Sequence, residues 1–310
     1  MLNYYCLKDG TVECFEHFKK EHGKLIWIDL LDYSPLEIAL VEDLLDLKLF
    51  SKKEREEIET SSKYIESEKL VGVNLNFLNF YKDEYEMNPV SFLLKDNVLI
   101  TQREREYKSF ADAREKLFNL EEKNGLDLFL TLLETRIDID ADLIELITTD
   151  INNLNRVISK EKKLDKEFLL HISDIRKSSN LIRETLMEKQ RIVFAILKSK
   201  YFPFSDRDRF LVMNKDISSL LQHSGFNFDR LEFMQNTFIG LVGIEQNKTI
   251  KMLTIVTVIF TPPALIAGIY GMNFEQMPEL KLVLGYPLSL VLMLLTSLLL
   301  FLIFRLKKWL

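Results

Sequence analysis

Apolar residues follow three different rhythms along this chain. Over roughly the first 120 residues they come in short runs. Leu25-Ile26-Trp27-Ile28-Asp29-Leu30 and the Val-, Leu- and Phe-rich stretch from Lys69 to Phe80 read as strands. Val90 to Leu94 and Val98 to Thr101 read as two more, around the polar turn Lys95-Asp96-Asn97. Ser34-Pro35-Leu36-Glu37 opens a helix, with Ser34 as cap, proline at the first helical position and Glu37 placed to reach back. From Ala111 to about Tyr201 the rhythm changes to threes and fours (Leu126, Phe129, Leu130, Leu133, Ile137, then Leu143, Ile147, Ile151, Leu154), the period of a helix. The charged patch Lys160-Glu161-Lys162-Lys163 marks a turn between two long helices, which should run antiparallel. Pro203 and Ser205 then start a last helix. From about Arg207 nothing forces a break before Pro262, although Gly225, Gly240 and Gly243 weaken it. Such a helix is roughly 95 Å long at 1.5 Å per residue. One small domain cannot bury it, so it must pack against copies of itself.

The third rhythm is unbroken hydrophobicity. Met252 to Tyr270 is nineteen residues without a charge, and Pro287 to Phe304 is a second uncharged run. Each is long enough to cross the roughly 30 Å hydrocarbon core of a bilayer, and the two predict a membrane hairpin. Lys248 and Lys251 precede the first span, and Arg305, Lys307 and Lys308 follow the second, whereas the loop carries Lys281 against Glu275 and Glu279. Because Lys and Arg resist translocation, both termini are expected in the cytoplasm. The first span has two unlike sides. Asn247, Ile250, Thr254, Thr257, Thr261, Ala264, Gly268 and Gly271 form a stripe that is mostly small or polar, while Ile255, Val256, Val258, Ile259, Phe260, Leu265, Ile266 and Ile269 are bulky. The bulky side suits lipid. The stripe suits water or protein, or is simply a helix packing face. Pro262 and Pro263 deprive the carbonyls of Val258 and Ile259 of their donors, so the helix should bend there. The freed carbonyls either line a pore or accept from threonine hydroxyls.

The resulting plan is an α/β region over 1–120, an antiparallel helical hairpin over 121–203, a stalk helix over 204–251, spans at 252–270 and 287–304 around an outer loop at 271–286, and a basic tail at 305–310. Residues 1–248 hold 36 basic and 45 acidic side chains, a net charge of −9. That balance argues against nucleic acid as a partner and suits a domain that gathers cations. Cys6 and Cys14 form no zinc or redox spacing and read as ordinary thiols. His17, His22, His171 and His223 show no ligand or triad spacing, and no phosphate-cradling Gly-x-x-x-x-Gly-Lys motif is present, which excludes the usual enzymes and pumps. The N-terminal MLNYYCLKDG is polar and lacks the pattern of a cleavable signal. Asp138, Asp140, Asp142 and Glu145 lack the glycine and the final glutamate of an EF-hand and read as a solvated helix face.

Ile269-Tyr270-Gly271-Met272-Asn273-Phe274-Glu275, followed by Met277-Pro278-Glu279-Leu280 and a basic end Arg305-Leu306-Lys307-Lys308-Trp309, resembles the CorA family of divalent-cation channels, whose hallmark is Gly-Met-Asn ending the first span. The Trp27 strand with its Pro-Leu-Glu helix is also similar to the cytoplasmic domain of that family. The resemblance implies an α/β cytoplasmic domain, long helices and a two-span hairpin in a funnel-shaped homopentamer of the plasma membrane. It implies influx of Mg2+, with Co2+ and Ni2+ also passing, gated by intracellular Mg2+ and needing no cofactor. Mg2+ keeps its hydration shell in a strict octahedron, so a selective site should offer neutral oxygens. By resemblance Asn273 supplies a ring of amides as the outer filter, Gly271 adds open carbonyls, and Asn247 forms a second amide ring deeper in. A helix C-cap is the simpler role for Asn273. Ile250 and Leu253 become a hydrophobic constriction, with Thr257, Thr261, Ala264 and Gly268 lining the path and Tyr270 and Met272 completing the signature. Thr261-Pro262-Pro263-Ala264 departs from the Met-Pro-Leu-Thr usual in the family, which removes a large apolar gate side chain. Glu275 and Glu279 would concentrate cations outside, and Arg305, Lys307 and Lys308 would form a basic ring inside. Asp216, then Asp208, are the candidates for regulatory Mg2+, with surface charges as the plain alternative. Two other functions stay open: a zinc transporter of the same superfamily, and a non-conducting membrane-tethered scaffold or sensor.

Overall fold

The computed structural model of the chain describes residues 1–56, 63–68, 70–81, 84–117, 124–160, 166–200, 206–272, 277–278, 282–307 and 309. It divides into two compact units, Met1–Met234 and Gln235–Leu310.

The first unit is built on one seven-stranded sheet: β1 (Leu2–Lys8), β2 (Thr11–Phe15), β3 (Lys24–Leu31), β4 (Tyr64–Glu66), β5 (Leu70–Tyr81), β6 (Glu84–Lys95) and β7 (Val98–Arg103). Their order is β2-β1-β3-β7-β6-β5-β4, antiparallel except where β3 runs parallel to β7. A parallel pair needs a long crossover. The chain makes it through α1 (Pro35–Leu45), α2 (Lys52–Glu56) and the β4–β6 strands. The α1 start is the reciprocal cap its sequence predicts: Ser34 Oγ accepts from the Glu37 N–H at 3.4 Å, and the Glu37 carboxylate accepts from the Ser34 N–H at 2.7 Å. The β6–β7 turn places Asp96 and Asn97 at φ 47° and 67°, the left-handed pair that a two-residue hairpin turn requires.

Period-two alternation assigns the two faces of the sheet. On one face, Leu2, Tyr4, Ile28, Leu30, Leu93 and Ile100 pack with Val41 of α1 and with Leu49 and Phe50. On the other, Trp27, Phe77, Phe92 and Phe110 are fully buried, with Tyr107 and Phe129 in ring contact. Full burial of an aromatic side chain contributes roughly 2–3 kcal/mol. This second face is covered by α3 (Lys108–Leu117), α4 (Gly125–Lys160) and α5 (Lys166–Lys198). Gly125 begins α4 against the β6–β7 turn, its N–H donating to the Asn97 carbonyl at 2.8 Å. A Cβ there would collide with the Asn97 carbonyl oxygen and the Leu99 nitrogen, so only glycine lets the helix start this close.

The N-terminus, not singled out as an element in the sequence, is a strand, with Leu2 to Cys6 buried between β2 and β3, because pairing on both sides shields its backbone and Tyr4 and Tyr5 carry enough apolar surface to bury. One expectation is overturned here. Asp140 is not on a solvated face: it is fully buried and ion-paired with Arg136 at 2.5 Å and with Lys189 of α5 at 2.9 Å, and the Arg136 guanidinium lies over the Phe77 ring. Burial pushes the Lys189 ammonium down, and Asp140 counters it. The expected start of the last helix at Pro203 and Ser205, and the expected turn at Glu161 to Lys163, lie outside the described residues. The helices on either side of that turn, α4 and α5, do pack on each other.

The last two helices are α6 (Arg207–Tyr270), 64 residues long, and α7 (Gly285–Leu306). Neither the glycines nor Pro262 and Pro263 interrupt α6.

The most buried charge pair of the first unit is Asp29 with Arg103. Arg103 donates from Nε at 3.1 Å and from Nη2 at 2.7 Å, Thr101 donates to the same carboxylate at 2.7 Å, and both ionic side chains are fully buried. Removing one partner strands the other charge in the core. Arg103→Leu should therefore cost about 3–5 kcal/mol of unfolding free energy, measured by denaturant titration of the purified protein. A loss below about 1 kcal/mol, the range of exposed pairs, would contradict this placement.

Candidate functional site

In the second unit the two sides of α6 have different surroundings. Ile255, Ile259, Pro262, Ile266 and Tyr270 recur at threes and fours, and they are its buried or half-buried positions from Lys251 onward together with Pro263. The hydroxyl of Ser297 in α7 reaches the Ile259 carbonyl at 3.3 Å, which identifies this face as the one turned to α7. On the opposite face lie Ile250, Thr254, Thr257, Thr261, Ala264 and Gly268, all exposed, flanked by Asn247, Leu253 and Gly271, also exposed. The predicted stripe is thus a continuous surface that α7 does not cover. Val256, Phe260, Leu265 and Ile269 occupy the intervening sides and are exposed and apolar.

The hydroxyls of the stripe are committed in a particular way. Thr254 donates to the Ile250 carbonyl at 2.9 Å, Thr257 to Leu253 at 3.0 Å and Thr261 to Thr257 at 2.7 Å. A hydroxyl has one proton and two lone pairs, so each of these oxygens has spent its donor and keeps acceptor capacity. Water around a cation points its hydrogens outward. A row of acceptors on one helix face matches that shell without stripping it.

The helix ends at the signature. Gly271 N–H donates to the Ala267 carbonyl at 2.9 Å and Met272 N–H to Ile269 at 3.2 Å. Asn273, Glu275 and Glu279 lie outside the described residues, as does Lys308. At the other end Arg305 and Lys307 are exposed, with Lys307 capping α7. The pattern reading missed Trp309: its ring lies 5.8 Å from the Lys251 ammonium and stacks on Phe304 with centroids 5.8 Å apart. The preference of tryptophan for membrane interfaces and cation faces was the available signal.

Asp208 and Asp216 are both exposed on α6. Among the described residues no group of three or more His, Cys, Asp or Glu side chains is arranged to hold a metal ion. Asp216 nevertheless sits in a negative neighbourhood. Partial burial of its carboxyl, and then the charges of Glu134, Asp142 and Asp216, push the Asp138 carboxyl above its ordinary value, against a pull down from Lys116. Arg209 neutralises one edge of this surface by pairing with Glu134 at 2.7 Å and with Asp127.

The family described as CorA-like Mg2+ transporter protein matches residues 22–308. The chain belongs to the CorA family. It is 34% identical to the magnesium transport protein CorA of Wolinella succinogenes, over 100% of both chains. Its fold is similar to the complete CorA magnesium transporter of Methanocaldococcus jannaschii, with a TM-score of 0.85 and 20% identity over 100% of this chain and 99% of that one. It is also similar to the cytoplasmic domain of ZntB from Vibrio parahaemolyticus, with a TM-score of 0.60 and 13% identity over 77% of this chain and 96% of that one. At these identities the two structures establish the fold alone. Among the described residues of this CorA-family chain, α6 and α7 are the two helices long and apolar enough to cross a membrane.

Because the folded state raises the Asp138 pKa, the fold favours the protonated acid, and stability falls as pH rises from about 4. Asp138→Asn should raise the thermal midpoint at pH 7 by about 1–3 °C, and the gain should vanish as pH is lowered toward 4. Scanning calorimetry of the detergent-solubilised protein at both pH values checks this.

Proposed function

We propose that the chain is a Mg2+ channel of the plasma membrane, assembled as a homopentamer with both termini in the cytoplasm. The observation that carries this reading is the uncovered stripe from Asn247 to Gly271, exposed along the side of α6 opposite α7 and leading to the Gly-Met-Asn signature. Five such stripes around an axis make a water-filled path lined by neutral oxygens. Asn273 is its outer filter, with Gly271 carbonyls beside it and Asn247 as an inner amide ring. Ile250 and Leu253, 52% and 68% exposed in the single chain, are the dewetting constriction. Thr257, Thr261, Ala264 and Gly268 line the wider part. The pentamer also gives the exposed Phe226, Phe233 and Ile244 of α6 neighbours to pack against.

The driving force needs no nucleotide. A membrane potential contributes about 2.3 kcal/mol per charge per 100 mV, or about twice that for a divalent ion. Glu275 and Glu279 gather cations outside; Arg305, Lys307 and Lys308 anchor the inner end as a basic ring. Regulation runs through Asp216 and Asp208: intracellular Mg2+ held between neighbouring cytoplasmic domains favours the closed state, and its loss lets the acidic surfaces repel. Co2+ and Ni2+, with the same charge and similar size, pass by the same route.

One observation favours a second reading. Thr261, where the family usually has methionine, leaves a small polar side chain on the exposed stripe, and a zinc transporter of the same superfamily is compatible with that change. A non-conducting scaffold is the third reading and assigns no role to the filter. Growth of a cell that depends on supplemental magnesium separates them. The wild type should restore growth without the supplement and Asn273→Ala should not, with Mg2+ influx reduced at least tenfold. Equal rescue by both would overturn the filter assignment, and uptake of Zn2+ without Mg2+ would favour the second reading.

A further inference from the structure

Seven serine and threonine hydroxyls lie on the described residues of α6 and α7 from Thr249 onward. Six turn back onto their own helix: Thr249 to Glu245, Thr254 to Ile250, Thr257 to Leu253, Thr261 to Thr257, Ser289 to Tyr286, and Thr296 to both Leu292 and Met293. This is the usual behaviour of a hydroxyl inside a helix. Ser297 is the exception. Its own one-turn-back acceptor would be Met293, which Thr296 already uses at 2.9 Å; instead Ser297 donates across to α6, to the Ile259 carbonyl at 3.3 Å.

The acceptor it reaches is one that the sequence has orphaned. In a regular helix the Ile259 carbonyl takes the N–H of residue 263, and residue 263 is a proline, without an N–H. An unpaired carbonyl in hydrocarbon is costly, and hydroxyls of neighbouring helices are one of the ways to satisfy it. Pro263, Ile259 and Ser297 therefore form one unit: a missing donor, its stranded acceptor and a replacement from the second span. The same residues lie on the side of α6 opposite Thr257, Thr261 and Ala264, so whatever fixes this side fixes where the stripe points.

We propose that Ser297 is a positioning residue for conduction. Its hydroxyl replaces the N–H lost at Pro263, ties the proline-weakened turn of the first span to the second, and holds the stripe in its rotational setting. The conduction half of this statement rests on the channel reading above; the hydrogen-bond half does not.

A double-mutant cycle tests it in the full-length protein. In the native background Ser297→Ala should lower the thermal midpoint in detergent by about 2–4 °C. It should change maximal Mg2+ flux into liposomes by about threefold, the factor that a typical interhelical hydrogen bond in a bilayer represents, with the half-saturating Mg2+ concentration unchanged. Ser297→Thr, which keeps a hydroxyl, should retain the native midpoint. In a Pro263→Ala background the N–H of residue 263 returns to the Ile259 carbonyl, and Ser297→Ala should then shift neither midpoint nor flux. An equal shift in both backgrounds, or no shift in either, overturns the proposal. Liposomes of the native protein that pass no Mg2+ would instead refute the channel reading, and the midpoints would still judge the hydrogen bond.

Discussion

A helix in hydrocarbon must find a donor for each of its carbonyls, because no water is there to supply one. The first span of this chain meets that demand with two donors missing, since Pro262 and Pro263 remove them from consecutive positions. Helical geometry nevertheless continues to Tyr270, and α7 offers the Ser297 hydroxyl to one of the two stranded acceptors. The side of α6 that carries this repair is also the side that buries Ile255. Packing and hydrogen bonding therefore agree on which side faces the second span, and the opposite side is left for the threonines.

On the channel reading proposed above, those threonines serve a second purpose. A hydroxyl that donates to its own helix presents only lone pairs outward, which suits the shell of a hydrated divalent ion. The stripe carries no carboxylate that would bind the ion tightly and hold it. Most of the protein's charges lie elsewhere, in a first unit that buries some and displays others. Asp29 with Arg103, and Asp140 with Arg136 and Lys189, are internal and ion-paired, which ties β3 to β7 and α4 to α5. Asp138, Asp142 and Asp216 remain at the surface as a negative neighbourhood that Lys116 only partly offsets.

Local signals were legible in the sequence wherever one element decides its own form. The Ser34–Glu37 cap, the Asp96-Asn97 turn, the β3 run and the helical extent of α6 follow from side chains within a few residues of each other, and short-range sterics and hydrogen bonds are enough to set them. The sequence was less legible where the partner is distant. The N-terminal strand was not singled out because its pairing with β2 and β3 is what makes it one, and the reading of Asp140 as solvated failed because Lys189 arrives from the next helix. The stripe on α6 was visible as a periodicity, but α7 had to be in place to identify it as the uncovered side.

The sequence by itself determined two apolar runs of membrane length, a period that segregates small and polar residues to one side of the first, and the signature that ends it, because these properties belong to the chain's own repeat. Tertiary structure alone decided which side of that helix meets α7, that Ser297 answers the proline-stranded carbonyl, and that Trp309 lies over Lys251. Such pairings depend on the register between two helices joined by a loop, and no periodicity within either helix encodes that register.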